Sequence, residues 1–173
     1  MAVAPVERHD QRHRRLPVRR LGHVEGESAA LGPLVRGVQY PHSHLVVAQG
    51  GSASIGVQRG AGDGTFLIRQ DYDTSLPGPR ALALGDLDGD GHADVAVANA
   101  FNGPASVTVL AGYAHGAFTT LWTQSMGLGL AGIAIADMDE DGDNDLVVTD
   151  EIANRASVLL NQGGAVFGPP LHF

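Results

Sequence analysis

The sequence predicts an all-β fold built from a four-stranded unit that recurs about every 50 residues. Three observations support this prediction. Two acidic loops of nearly the same pattern lie 51 residues apart, beginning at Asp86 and at Asp137. Short apolar runs rich in β-branched residues flank each loop. The 24 Gly and 9 Pro residues suit a chain with many tight turns.

Each acidic loop has carboxylates at positions 1, 3, 5 and 9 and a glycine at position 6. Four carboxylates so close together repel one another unless a cation binds, and Ca²⁺ prefers about six to eight oxygen ligands. The alternative is a solvated acidic turn. We predict two Ca²⁺ sites, each including the position-7 backbone carbonyl, of His92 or Asp143. The carboxylate ligands are Asp86, Asp88, Asp90 and Asp94 in one loop and Asp137, Asp139, Asp141 and Asp145 in the other.

The flanking residues exclude an EF-hand. That motif ends in a bidentate glutamate at position 12, where this chain has Val97 and Val148. The apolar runs beside the loops, such as residues 94–99 and 145–150, are too short for the helices of an EF-hand. Each loop is therefore predicted to join two β-strands.

The self-similarity extends beyond the loops. The segment Ala105-Ser-Val recurs as Ala156-Ser-Val and, in a related form, as Ala53-Ser-Ile. A glycine-rich turn and a phenylalanine follow each copy, namely Gly60, Gly64 and Phe66, then Gly112, Gly116 and Phe118, then a shorter version with Gly163, Gly164 and Phe167. Each unit thus has a strand entering the loop, a strand leaving it, an Ala-Ser strand and a Phe-initiated strand. Four strands per unit are typical of a β-propeller blade.

These motifs resemble the FG-GAP or VCBS repeats of integrin-α-like β-propellers, whose blades carry a D-x-D-x-D-G-x-x-D loop between their first two strands. The resemblance covers roughly residues 43–173. It implies Ca²⁺ at both loops, an extracellular or cell-surface location, and a role in adhesion or in binding a protein or carbohydrate ligand. The chain holds about 2.5–3 blades, whereas closed propellers hold about four to eight. Further blades or self-association are therefore expected to complete a ring.

We expect four segments. Residues 1–40 form a basic leader, irregular or disordered, with 7 Arg against 4 acidic residues and without the apolar run of a signal peptide. Residues 41–79 form a partial blade without an acidic loop, and residues 80–128 and 129–173 form complete blades. From residue 41 onward 4 Arg oppose 15 acidic residues, which disfavours a nucleic-acid partner. No apolar run is long enough for a membrane span.

The sequence predicts that the chain is not an enzyme, because it has no Cys and no G-x-S-x-G nucleophile motif. Phe101, in a turn that varies between repeats, and Trp122 are the candidate ligand contacts. Two alternatives to a calcium-binding adhesion or ligand-binding module stay open. One is a carbohydrate-binding propeller or accessory module of a secreted hydrolase. The other is a truncated fragment of a repeat array with no activity of its own.

Overall fold

The computed structural model describes residues 29–31, 44–100 and 103–173, and it confirms the all-β prediction. Within these residues, twelve strands form three four-stranded antiparallel sheets that follow one another along the chain. We call them the first, second and third blades. The one helical element of the described part is a single 3-10 turn at Ala114–Gly116.

The strands of each blade are paired in chain order. The first blade contains β1 (Ala29–Leu31), β2 (His44–Gln49), β3 (Ser54–Arg59) and β4 (Gln70–Asp73). The second blade contains β5 (Pro79–Gly85), β6 (Asp94–Asn99), β7 (Ala105–Tyr113) and β8 (Ala117–Gly127). The third blade contains β9 (Leu130–Ala136), β10 (Asp145–Asp150), β11 (Arg155–Leu159) and β12 (Leu171–His172). The first sheet thus begins upstream of residue 41, where the sequence analysis places the start of the first blade.

The structure corrects one part of the repeat alignment. Val95 pairs with Leu110, and its equivalent Leu146, 51 residues later, pairs with Leu159, which lies only 49 residues after Leu110. The hairpin between the second and third strands is therefore two residues shorter in the third blade. As a result, the two identical Ala-Ser-Val segments do not occupy the same register.

A phenylalanine pairs back to the end of the third strand in every blade. The pairs are Gly60 with Phe66, Gly112 with Phe118, and Asn161 with Phe167. The structural equivalent of Gly112 is thus Asn161, and not Gly163 as the repeat pattern predicts. The shorter hairpin explains the error, because it moves the end of the third strand two residues toward the N-terminus.

An aliphatic core lies at each interface between blades. The first core joins Val46, Ile55 and Val57 to Val95, Val97 and Leu110. The second joins Ala96, Ala98, Val107 and Val109 to Leu130, Leu146, Val148 and Leu159. Each fully buried Val, Leu or Ile side chain contributes roughly 1.5–3 kcal/mol. The two cores therefore hold the blades in series.

The middle blade is covered on both faces. All six residues of β6 are buried, because alternate side chains point to opposite faces of a strand. Val95 and Val97 face the first blade, and Ala96 and Ala98 face the third. On its face toward the third blade, the second blade has small residues such as Ala96, Ala98 and Gly85, which leave room for larger side chains of the third blade. A Cβ added at Gly85, for example, would lie only 3.0 Å from a methyl group of Ile135.

Candidate metal centres

The two acidic loops lie at equivalent places, between the first and second strands of their blades. The first loop, residues 86–94, joins β5 to β6, and the second loop, residues 137–145, joins β9 to β10. At position 6, Gly91 has φ 86° and Gly142 has φ 98°. Glycine adopts this left-handed conformation without steric cost. The sharp turn brings the end of each loop back to its beginning.

In each loop the structure brings together the carboxylates of positions 1, 3 and 9. Oxygen atoms of these three side chains lie within 4.8 Å of one another in both loops. The groups are Asp86, Asp88 and Asp94 in the first loop and Asp137, Asp139 and Asp145 in the second. The position-5 residues stand outside these groups, and each accepts a backbone hydrogen bond, Asp90 from His92 at 2.7 Å and Asp141 from Asp143 at 2.9 Å. Their part in binding a cation stays a prediction, as does that of the position-7 carbonyls.

The position-9 carboxylate of the first loop also has a structural role. Asp94 is fully buried. Its Oδ1 accepts a hydrogen bond from the backbone N–H of Gly112 at 2.8 Å, and its Oδ2 accepts one from Leu87 at 2.7 Å. Asp94 thus ties the start of the loop to the end of the third strand.

Asp145 repeats this arrangement in the second loop. It is fully buried, its Oδ1 accepts a hydrogen bond from the N–H of Asn161 at 2.8 Å, and its Oδ2 accepts one from Met138 at 2.7 Å. The same contacts in two blades identify position 9 as a fixed corner of the loop, around which the carboxylates of positions 1 and 3 are arranged.

The electrostatics of the loops favour a cation. Burial raises the pKa of Asp94 to about 6, against the hydrogen bonds from Gly112 and Leu87, which lower it. Loss of solvation also raises the pKa of Asp88 and of Asp139, and the charges of neighbouring loop carboxylates add to the effect. Each shift means that the negative charge is disfavoured where it stands. A divalent cation between the carboxylates would remove that cost.

The two loops differ at position 4. Gly89 has φ 80°, and Glu140 has φ 63° at the same position of the second loop. A side chain in the left-handed region costs roughly 1–2 kcal/mol. The second loop therefore carries backbone strain that the first loop does not.

The donor set fits Ca²⁺. Oxygen atoms of three carboxylates lie within 4.8 Å of one another in each loop, where the position-9 residue is buried and the other two are partly buried in the first loop and exposed in the second. Hard, anionic oxygen ligands of this kind, together with room for water and backbone carbonyls, are what Ca²⁺ takes in flexible loops. No sulfur ligand is available, because the chain has no Cys.

One of the two candidate ligand contacts lies among the described residues. Trp122 is partly buried, and its ring lies 4.8 Å from that of Phe167, centroid to centroid, beside the core between the second and third blades. Phe101 lies outside the described residues. A ligand-binding role for either side chain stays a prediction.

Sequence reasoning missed two asparagines that contact the first loop from the third blade. Asn144 Nδ2 donates a hydrogen bond to the carbonyl of Asp86, and Asn161 Nδ2 donates one to the carbonyl of Leu87, both at 2.8 Å. Asn161 stands beside Gly163 and Gly164 in the sequence, so it reads as an ordinary turn residue. Only the strand register shows that it replaces a glycine of the second blade.

Consecutive four-stranded antiparallel sheets, each with its variable connections at the strand ends, define a β-propeller-like repeat module. The chain belongs to the FG-GAP-like repeat family, whose model matches residues 44–97 and again residues 86–148. The two matches overlap at the first loop, which ends one repeat and begins the next. No curated protein matches the chain. Among the described residues, no helix is long and apolar enough to cross a membrane.

Proposed function

We propose that this chain is a non-catalytic, calcium-binding repeat module of an exported protein, and that it serves adhesion or the binding of a protein or carbohydrate ligand. The observation that carries calcium binding is the convergence of carboxylates 1, 3 and 9 within 4.8 Å in both loops. Membership of the FG-GAP-like repeat family supports the wider role.

In this proposal the ion completes the fold of each blade. Asp86 and Asp88 begin the first loop and Asp94 ends it, so one cation between them joins the exit of β5 to the entry of β6. Binding energy that requires the folded loop becomes folding energy. Modules that work in an extracellular medium can bind Ca²⁺ as weakly as about 10⁻⁴–10⁻³ M and still be loaded.

Calcium titration of the full chain by isothermal calorimetry tests the proposal. We expect two ions per chain and a higher melting temperature in calcium than in EDTA. Mg²⁺ at the same concentration should give a much smaller shift, because it retains its water and demands octahedral geometry. Two-site calcium binding is the supporting result, and the absence of heat at millimolar Ca²⁺ would refute it.

Single-site variants assign the ions to the loops. Asp88→Asn and Asp139→Asn each remove the position-3 carboxylate of one loop and should each abolish or strongly weaken one of the two sites. Asp63→Asn is the matched control, because Asp63 is an acidic turn residue outside both loops that accepts a hydrogen bond from the N–H of Thr65. Asparagine keeps that turn, so both ions should still bind.

Completion of the propeller is tested by the assembly state of the chain. Three blades leave the outer faces of the first and third blades without a neighbouring blade in the described part of the chain. We propose that further blades, or other copies of the chain, complete the propeller. Sedimentation of the full chain in calcium should then show a discrete oligomer, and a strictly monomeric protein would reject self-association.

A further inference from the structure

We propose that the third blade holds the first acidic loop in its binding shape through Asn144 and Asn161, so that cation binding at the two loops is cooperative. This inference rests on the proposed calcium binding and adds to it a specific coupling between the sites. Asn144 and Asn161 are positioning residues in this scheme, since neither supplies a carboxylate to a site.

The contacts form a clamp on the beginning of the first loop. Asn144 donates to the carbonyl of Asp86 at 2.8 Å, and Asn161 donates to the carbonyl of Leu87 at 2.8 Å. Asn161 also donates to the carbonyl of Asn144 at 3.0 Å. The N–H of Ala165 reaches the Leu87 carbonyl as well, at 3.1 Å. Two adjacent carbonyls of the first loop are therefore fixed by the third blade.

The clamp is continuous with both carboxylate groups. The backbone N–H of Asn161 donates to Asp145, the position-9 residue of the second loop, at 2.8 Å. On the other side, the N–H of Leu87 donates to Asp94, the position-9 residue of the first loop, at 2.7 Å. Asn161 and Leu87 thus join the two buried carboxylates by successive hydrogen bonds across the interface between the blades.

The path lies in a part of the molecule that resists rearrangement. Asn161 and Leu87 are each 2% exposed, and Asp94 and Asp145 are fully buried. A buried polar group that loses its partner costs roughly 1–3 kcal/mol, because water cannot replace it. Movement of either loop away from its ion-binding shape would break buried hydrogen bonds of the other loop.

The preceding interface shows that the clamp is not a general feature of the blades. The second blade has Ala93 where the third has Asn144, and Gly112 where the third has Asn161. Gly112 has no room for a side chain, since its Cβ would lie 2.0 Å from the carbonyl oxygen of Ala93. The first blade has no acidic loop that the second blade could hold. The clamp asparagines lie in the third blade, and the blade before it does have an acidic loop.

An ion at the second loop orders the chain on either side of Asn144 and fixes Asp145. Through the clamp, the carbonyls of Asp86 and Leu87 are then held as well, so the first loop loses less freedom when its own ion binds. Coupling of this kind acts equally in both directions. We expect the presence of one ion to raise the affinity for the other by about fivefold, near the lower end of typical allosteric couplings.

A double-mutant cycle measures the coupling. The second site is disabled by Asp137→Asn with Asp139→Asn, which leaves the buried Asp145 in place. Calorimetry then gives the Ca²⁺ affinity of the first site in the full chain. We expect that affinity to be about fivefold lower than in the chain with both sites intact. In an Asn161→Ala background, disabling the second site should cause no further loss.

Two additional variants secure the result. Asn144 is only partly buried, so Asn144→Ala tests the same coupling in a chain that folds if Asn161→Ala does not. Asn99→Ala is the matched control, because Asn99 is also a buried asparagine but lies at the other end of β6 from the first loop. The control should lower stability and keep the fivefold coupling.

Hydrogen exchange in EDTA gives a readout that needs no ion. Asn161→Ala and Asn144→Ala should accelerate exchange of the amides in residues 86–94 several-fold, and Asn99→Ala should not. Two ions that bind independently in the wild-type chain would overturn the coupling and leave the proposed function intact. Absence of calcium binding would overturn both the coupling and the proposed function. Unchanged exchange in both asparagine variants would show that the asparagines do not hold the first loop.

Discussion

The two interfaces between blades share an aliphatic core, yet the buried side-chain hydrogen bonds across them lie at opposite ends of the sheets. At the first interface, Asn99 and Thr108 of the second blade donate hydrogen bonds to the carbonyl of Thr74, at 3.2 and 2.9 Å. Asn99 is the last residue of β6, the strand that begins at the acidic loop. At the second interface, Asn144 and Asn161 contact the acidic loop itself.

The difference follows from what the preceding blade offers. The blades can be aligned on the residue pairs that their phenylalanines form. In that alignment His44 of the first blade stands at the position of Asp94 in the second blade and of Asp145 in the third. No acidic residue precedes it between residues 32 and 43. Aliphatic packing is thus the general means of joining blades, and the polar contacts are added where a particular carbonyl must be held.

The largest expected effect comes from removing a buried carboxylate. Asp145→Ala leaves the N–H groups of Met138 and Asn161 without an acceptor inside the protein. We expect a loss of about 3 kcal/mol in the free energy of unfolding, measured by urea denaturation in EDTA. Asp143→Ala, in the same loop, is the control and should cost little. Equal losses from the two variants would contradict the structural role of position 9.

Next in size is the comparison of the two interfacial asparagines. Asn99 is fully buried and donates to Thr74, Ser106 and Thr108, so Asn99→Ala should cost about 2 kcal/mol. That loss should be the same in EDTA and in calcium. Asn161→Ala should cost a similar amount in EDTA and clearly more in calcium, because it also weakens ion binding. If the loss of stability were independent of calcium at both positions, the two interfaces would not differ in their link to ion binding.

Much of this arrangement could be predicted from the sequence. The 51-residue spacing of the acidic loops and the short apolar runs beside them predict the blades, and the structure confirms the all-β fold. These features are local, since each loop and its strands are contiguous in the chain. The grouping of Asp86, Asp88 and Asp94 follows from the same short segment.

What could not be predicted depends on contacts between distant residues. Asn161 and Leu87 lie 74 residues apart, and no local pattern links them. The two identical Ala-Ser-Val segments also misled the repeat alignment, because similar letters do not reveal a hairpin shorter by two residues. Once the register is known, Asn161 is seen to occupy the position of Gly112 in the second blade, and this identifies it as an added polar contact.

A smaller effect is expected from position 4 of the loops. Gly89→Ala places a side chain at φ 80°, and no atom lies within 4 Å of the added Cβ, so the cost of about 1 kcal/mol is purely conformational. Glu140→Gly relieves the same strain but makes the unfolded chain more flexible. We expect a net gain of about 0.5 kcal/mol. Denaturation in EDTA checks both variants, and a loss from Glu140→Gly would show that the second loop is not strained.

The smallest effect concerns the ion pair between Arg80 and Glu151, which also bridges the second and third blades. Both side chains are about half exposed, with relative exposures of 45% and 52%, so water screens their attraction. Arg80→Ala should therefore cost less than about 0.5 kcal/mol, and 1 M NaCl should remove the difference. Arg69→Ala, which breaks a similarly exposed pair with Asp71 within the first blade, is the control. A loss near 2 kcal/mol from Arg80→Ala alone would mean that this ion pair, at the end of the sheets away from the acidic loops, stabilises the second interface as much as the buried asparagine contacts do.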